Sequence, residues 1–372
     1  MKILHILEDE KVVNSFIQMM ESVYPRENSY LIVCNGDTPQ RVTLNENITA
    51  LKRNSRTYCQ LLKNLTSYRH ICIHSLSGCS NYHLINHPSV SWIIWGADLY
   101  ESLLRFEGYQ LYEDPELMYK IRAQKKPVFL YKLATYIRDY IQYYNEKRII
   151  KKVKYIITDN ESDYRVFKKY YPTSNIVHLG SINYYPIERL VGDDNIDKTC
   201  TGNAIWVGNS AAPNGNHIGI FKILSGFNNN ARVYCPLSYG DKRLARYIED
   251  AGRRLLGGSL YSLTDFLPVQ QYYSIFLNCN SFVFGHYRQC AVGNILMAFY
   301  FGGKVFLYKR NPLFQTYKEM GFVVFSIDDE LNADFCISPL SLQERNNNKT
   351  LVLKLASYES SLEQIRKVFE NI

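Results

Sequence analysis

The stretch SFVFGHYRQCAVGNILMAFYFGGKVFL, residues 281–307, reads as strand, polar loop, helix, strand. An apolar run ends at Phe284 and the loop GHYRQ follows. Ala291-Val292-Gly293-Asn294 then opens an apolar helix, which stops at Gly302-Gly303 before a second apolar run. The first amides of a helix have no intrahelical acceptor and sit at its positive end, so this layout suits a diphosphate. Gly293 would let an anion approach the backbone, and Arg288 can give two hydrogen bonds to phosphate oxygens. His286 and Gln289 are further donors, and Asn294 lies in the first turn. Taken alone, the pattern equally fits an ordinary βα connection with an exposed arginine.

Working outward, the same alternation fills the chain. Apolar runs at 2–7, 29–35, 70–75, 90–96, 154–159 and 175–180 are separated by helical patterns, as are runs at 204–210, 231–237, 281–285, 303–308 and 323–327. Continuous apolar strands between helices predict parallel sheets covered on both faces. The polar segment VGDDNIDKTCTGN, 191–203, breaks the series. The reading is therefore α/β, with two Rossmann-like domains over 1–190 and 204–345 and a cleft between them. A helical tail, 346–372 within a pattern that begins near 340, is expected to pack back on the first domain. The length of 372 residues and the 46% hydrophobic content suit two such cores.

Three further places carry chemistry. In WVGNSAAPNGNH, 206–217, the residues Gly208, Asn209, Ser210, Asn214 and His217 follow a strand in a loop able to approach a ligand; a tight βα turn is the competing reading. In WIIWGADLYESL, 92–103, Asp98 follows a strand directly and would be a general base if burial raises its pKa, or else a helix cap. His74 ends another strand and would bind phosphate, act as a base, or serve a structural role. Asp163 belongs to a group of acids after the strand at 154–159, of which one could face the cleft while most are caps.

The net charge of +8 is uneven: between Lys120 and Lys154 there are eleven Lys/Arg against two Asp/Glu. Within 126–154, Phe129, Leu130, Leu133, Ile137 and Ile141 recur at helical spacing among basic and tyrosine residues. This suits a helix lying on an anionic membrane surface, or a solvated helix face. No nucleic-acid fold accompanies the charge, so nucleic acid is not the expected partner. Nine cysteines without a CxxC pair read as reduced thiols. No signal peptide or 18-residue apolar span is apparent. Asp193-Asp194 lie in the polar break and Asp328-Asp329-Glu330 past the last strand, so no metal or other cofactor is expected.

Taken in order, WIIWGADLYE, IWVGNSAAPNGNH, RVYCPLSYG, FLPVQQYYSIFLNCNSFVF, RQCAVGN and KRNPLF resemble glycosyltransferase family 56, that of the 4-acetamidofucose transferases of enterobacterial common antigen synthesis, over roughly residues 70–325. The resemblance implies a GT-B fold, a dTDP-sugar donor (UDP being the other nucleotide considered) and a lipid-linked, undecaprenyl diphosphate saccharide acceptor. It implies work at the inner face of the cytoplasmic membrane, as a peripheral protein. It puts Asn209, Ser210, Asn214 and His217 on the first donor loop, and Arg288, Gln289, Gly293 and Asn294 on the phosphate loop. Pro236 and Tyr239 would contact the nucleotide. Trp95, Gly96, Asp98 and Tyr100 fall on the acceptor-side block, and His74 matches a strand-end histidine there. Arg288 would stabilise the departing diphosphate, with Asp98 or His74 taking the acceptor proton. Cys290-Ala291 and Asn294 stand where the pattern has Gln-Gly and Thr. The competing functions are a GT-B-like nucleotide-sugar 2-epimerase and a non-enzymatic basic α/β protein that binds membrane or nucleic acid.

Overall fold

The computed structural model describes residues 2–76, 81–123, 127–227, 231–370 and 372. Two parallel sheets account for the strands. The first has seven, β1 (Ile3–Glu8), β2 (Asn28–Cys34), β3 (Ile48–Lys52), β4 (His70–His74), β5 (Val90–Ile93), β6 (Tyr155–Thr158) and β7 (Val177–Ser181), in the order β3-β2-β1-β4-β5-β6-β7. The second has six, β8 (Ala204–Val207), β9 (Val233–Pro236), β10 (Leu260–Leu263), β11 (Cys279–Phe284), β12 (Lys304–Leu307) and β13 (Val324–Ser326), in the order β10-β9-β8-β11-β12-β13. The central strands are apolar on both faces because helices cover both; every residue of β8, β9, β11 and β12 is buried.

In each sheet the first strand lies between the second and the fourth. The connections run one way from it and then reverse, which leaves a crevice outside the carboxyl ends at the reversal. That point falls between β1 and β4 in one sheet and between β8 and β11 in the other.

The chain forms two compact units. One comprises Met1–Tyr109, Ala134–Pro186 and Ala356–Ile372; the other comprises Gln110–Leu133 and Ile187–Leu355. The excursion 110–133 carries no break in composition. It joins the second unit because Leu117, Met118 and Ile121 pack against the apolar core around Ile205, Phe221 and Leu244. The tail is two helices, not one: Leu342–Ala356 and Tyr358–Phe369. Ser357 separates them, its hydroxyl accepting from the Ser360 N–H at 3.2 Å as an N-cap. Ile365, Val368 and Phe369 of the second helix enter the core of the first sheet beside Phe16 and Ile17.

Candidate functional site

The reversal point of the second sheet gathers both glycine-bearing loops. After β8 the chain runs through Gly208–Asn216 into the helix His217–Ser225; after β11 it runs through Gly285–Ala291 into the helix Val292–Tyr300. The two loops are bonded to each other. The Asn216 side-chain amide donates to the Gly285 carbonyl at 2.7 Å, and a β-carbon on Gly285 would fall 2.6 Å from the Gly215 oxygen. Asn311 holds the second loop from the other side, donating to the carbonyls of His286 and Arg288 at 3.0 Å each.

His217 is buried at the start of its helix. Its ring fills the space over two glycines: β-carbons at Gly208 and Gly215 would lie 2.5 and 2.4 Å from ring atoms. Gly208 also has φ +73°, where a side chain is strained. The missing side chain of Gly208 makes room for His217. Burial, with His286 nearby, lowers the His217 pKa to about 3, so the ring is neutral, and Nε2 has no hydrogen-bond partner among the described residues.

The loop after β11 has a different character. Ala291 caps the helix in the left-handed conformation at φ 59°, and residues 291–294 are half-buried. A β-carbon on Gly293 would meet only Leu190, at an ordinary 3.5 Å. Neither packing nor backbone conformation therefore demands glycine there, which is what a ligand-facing amide would look like. Arg288 and Gln289 are buried beside this turn, and Arg288 donates to the Gln289 carbonyl. Asn294 donates to the Tyr272 hydroxyl at 3.2 Å; Tyr272 lies edge-on to Trp206, whose indole N–H donates to the Gly208 carbonyl at 2.8 Å. Tyr239 is exposed just beyond β9, which ends at Pro236. Its carbonyl accepts from the Ala211 N–H at 2.7 Å, so the third predicted loop is tied to the first. Ser210 and Asn214 are buried in the loop, and Asn209 is half-buried.

In the first unit the predicted residues sit deeper than expected. Asp98 does not point outward. It is fully buried, one oxygen accepting from the Leu76 N–H at 2.9 Å and the Trp92 indole at 2.7 Å, the other from the Trp95 N–H at 3.1 Å. Burial raises its pKa against the pull of these donors. Tyr100 and Asp163 are likewise buried and bonded to each other at 2.7 Å. Gly96 turns at φ 90°, and Trp95 is half-buried. His74 is also internal. The Asn28 oxygen accepts from His5 Nε2 at 3.2 Å, His5 Nδ1 then accepts from His74 Nε2 at 2.9 Å, and His74 Nδ1 accepts from the Tyr184 hydroxyl. This assignment satisfies both rings in the neutral form, and burial lowers both pKa values, that of His5 to about 3.

One residue at the reversal point of the first sheet went unread in the sequence. Glu8 ends β1. It pairs with Arg53 through Oε2, while Oε1 is buried with no hydrogen-bond partner among the described residues. Burial raises its pKa despite the guanidinium. The signal was present in ILEDE, 6–10, an acid at the end of the first strand. Among the described residues no three His, Cys, Asp or Glu side chains are grouped as a metal site, and no helix is long and apolar enough to cross a membrane.

Comparison with solved structures shows the same two-sheet architecture. A glycosyltransferase from Rickettsia africae superposes with a TM-score of 0.63 at 12% identity, covering 100% of this chain and 99% of that one. HepE from Anabaena, solved with UDP and glucose, gives 0.64 at 10% identity over 100% of both chains. The lipopolysaccharide outer core galactosyltransferase WaaB, in its apo form, gives 0.62 at 12% identity over 100% of both. The fold is GT-B. A family profile described as 4-alpha-L-fucosyltransferase, glycosyl transferase group 56, matches residues 117–359, a span that holds both loops of the second sheet. The chain belongs to glycosyltransferase group 56.

Proposed function

We propose that this glycosyltransferase moves a deoxy-amino sugar, of the 4-acetamidofucose kind, from a dTDP- or UDP-sugar to a saccharide carried on a lipid diphosphate. The observation that carries the reading is the bonded pair of loops at the β8/β11 reversal, with Gly293 free of any packing reason to be glycine. The diphosphate lies at the first turn of Val292–Tyr300, where Arg288 and the helix amides offset charge developing on the leaving group. The 206–217 loop, Pro236 and Tyr239 contact the nucleotide. No divalent metal is required, since these donors do that work. Neighbours of the same fold were solved with UDP, which supports a nucleotide donor.

Acceptor contacts come from the first unit, where Trp95 is the half-buried member of the block that Asp98, Gly96, Tyr100 and Asp163 hold in shape. Glu8 replaces Asp98 and His74 as the proposed base, because one of its oxygens lacks a partner while theirs are engaged. The protein works at a membrane surface. The helix Val128–Ile150 supports this by exposing Phe129, Leu130, Tyr136 and Ile137; Gln124–Lys126, at the start of the basic stretch, lie outside the described residues.

Incubation with dTDP- and UDP-sugars and a polyprenyl diphosphate saccharide tests the reading. Sugar transfer upholds it; donor interconversion without acceptor would instead reveal an epimerase, and absence of turnover a binding protein. Arg288→Ala is expected to lower turnover by orders of magnitude with the fold intact.

A further inference from the structure

Beneath the first sheet, at the amino ends of β6 and β7, is a cavity of about 700 Å³. Lys147, Lys151, Lys154, Thr173, Ser174 and Asn175 line it. No acidic side chain is among its lining residues. Lys147 is fixed at the rim by Glu107, at 3.0 Å, while Lys151 and Lys154 are exposed. The cavity lies at the end of the sheet opposite the carboxyl termini, so it is separate from the sites described above.

Two of these lysines continue a helical stripe. Tyr136, Tyr140, Tyr144 and Lys147 follow one another at spacings of four, four and three, which places them along one face, and Lys151 follows in the turn just past the helix end. Tyr136, Tyr140 and Tyr144 are 52%, 48% and 59% exposed, and Ile137 and Ile141 beside them are 51% and 55% exposed. An aromatic and aliphatic stripe of this size left uncovered marks an interaction surface. Tyrosines leading into lysines at the end of the stripe match the layering of a bilayer, with rings at the interface and cations at the phosphates.

We propose that the cavity of Lys147, Lys151 and Lys154 takes the phosphate headgroup of an anionic phospholipid while the tyrosine stripe lies on the bilayer surface. The proposal rests on the membrane reading above and gives it a site. Eleven basic against two acidic residues over 120–154 supply the complementary charge. Thr173, Ser174 and Asn175 add neutral polar groups beside the lysines, as a phosphodiester would use.

The test floats the full-length protein with phosphatidylcholine vesicles and with the same vesicles containing phosphatidylglycerol. Binding to the anionic vesicles is stronger by at least about tenfold at low salt and weakens as salt rises. Lys151→Glu/Lys154→Glu reduces it to the phosphatidylcholine level, and Tyr140→Ser/Ile141→Ser weakens binding to both. The lysine variant keeps normal turnover on a detergent-dispersed acceptor. Equal binding to the two vesicle types, or wild-type flotation of the lysine variant, overturns the proposal. So does lost turnover of that variant in detergent, which would assign the lysines to substrate. Inorganic phosphate raising the melting temperature in a Lys151-dependent way, without vesicle binding, also overturns it in favour of a soluble anion. Lysine-dependent flotation in a protein that binds no nucleotide sugar upholds the headgroup site while sinking the transferase reading.

Discussion

His217 packs its imidazole against the α-carbon of Gly208 so closely that a β-carbon there would lie 2.5 Å from Nε2. Gly208 follows β8 directly and His217 starts the next helix, so this contact sets the path of the whole loop between them. Gly208→Ala faces a left-handed backbone, which disfavours an L-residue by about 1–2 kcal/mol, and must also displace the ring. The expected result is a lower melting temperature and weaker nucleotide binding. In Gly208→Ala/His217→Ala the steric part disappears, so stability partly recovers while binding does not. A single Gly208→Ala variant as stable as the parent contradicts the ring packing.

Gly293 behaves in the opposite way. Its added methyl group meets only Leu190 at 3.5 Å, and alanine favours helix over glycine by up to about 1 kcal/mol. Gly293→Ala is therefore expected to melt at the same temperature or higher. If the diphosphate sits on this turn, the same methyl group blocks it, and donor affinity falls by about tenfold or more, the worth of one charge-assisted hydrogen bond. Calorimetric titration with the nucleoside diphosphate, run beside a thermal melt, reads both. Unchanged affinity removes the diphosphate from this turn.

Ala291 shows how far the sequence could be read. Its neighbourhood was recognisable as a helix start, and the strands leading to it were legible because they are buried on both faces. The strands at 48–52 and 260–263 were not, and both are edges: in each only the first residue is buried, so no continuous apolar run forms. The 110–133 excursion was hidden because its attachment is a tertiary contact, not a local pattern. Within the candidate site, residue types single out two loops but not where their side chains point. Asp98 and Glu8 both end or follow strands and look alike in sequence; burial and partner count separate them.

Ala291 itself yields a prediction. An alanine at φ 59° holds a conformation that glycine adopts without strain, and no other helix cap substitutes for it. Ala291→Gly is expected to stabilise the protein by about 0.5–1 kcal/mol, the left-handed cost less the added freedom of the unfolded chain. Equilibrium unfolding in urea measures it; a destabilised variant shows that the turn is not strained.

Asp98 and Glu8 can be told apart directly. Asp98→Asn places an amide against N–H donors that need an acceptor, at 2.7–3.1 Å, and is expected to cost about 2–3 kcal/mol of stability. Turnover per folded molecule should stay within a few-fold. Glu8→Gln keeps the shape and one acceptor for Arg53, so its melting temperature should barely move. Its turnover should fall by about 10²–10⁴, the usual contribution of a general base. The reverse pattern, with Asp98→Asn inactive yet stable, would return the base to Asp98.

The buried histidines fix how stability depends on pH. His5, His70, His74 and His217 are neutral in the folded chain, burial having lowered His5, His70 and His217 to about 3 and His74 well below its usual value. In the unfolded chain each titrates near 6.5. Below that pH the unfolded state binds protons that the folded state refuses, so stability falls as pH falls, beginning at about 6.5 and continuing towards 3. Each such histidine contributes up to about 1.4 kcal/mol per pH unit within that window. Urea unfolding at intervals from pH 7.5 to pH 5 should therefore show a midpoint that is flat above about 7 and then drops steeply. Replacing His70, which donates to or accepts from Ser89 and Ser91 at 2.7 and 2.6 Å, with Gln keeps amide partners for both hydroxyls but removes one titrating group. His70→Gln should show a shallower fall. A midpoint independent of pH over that range would mean these rings titrate in the folded protein as they do in the unfolded chain.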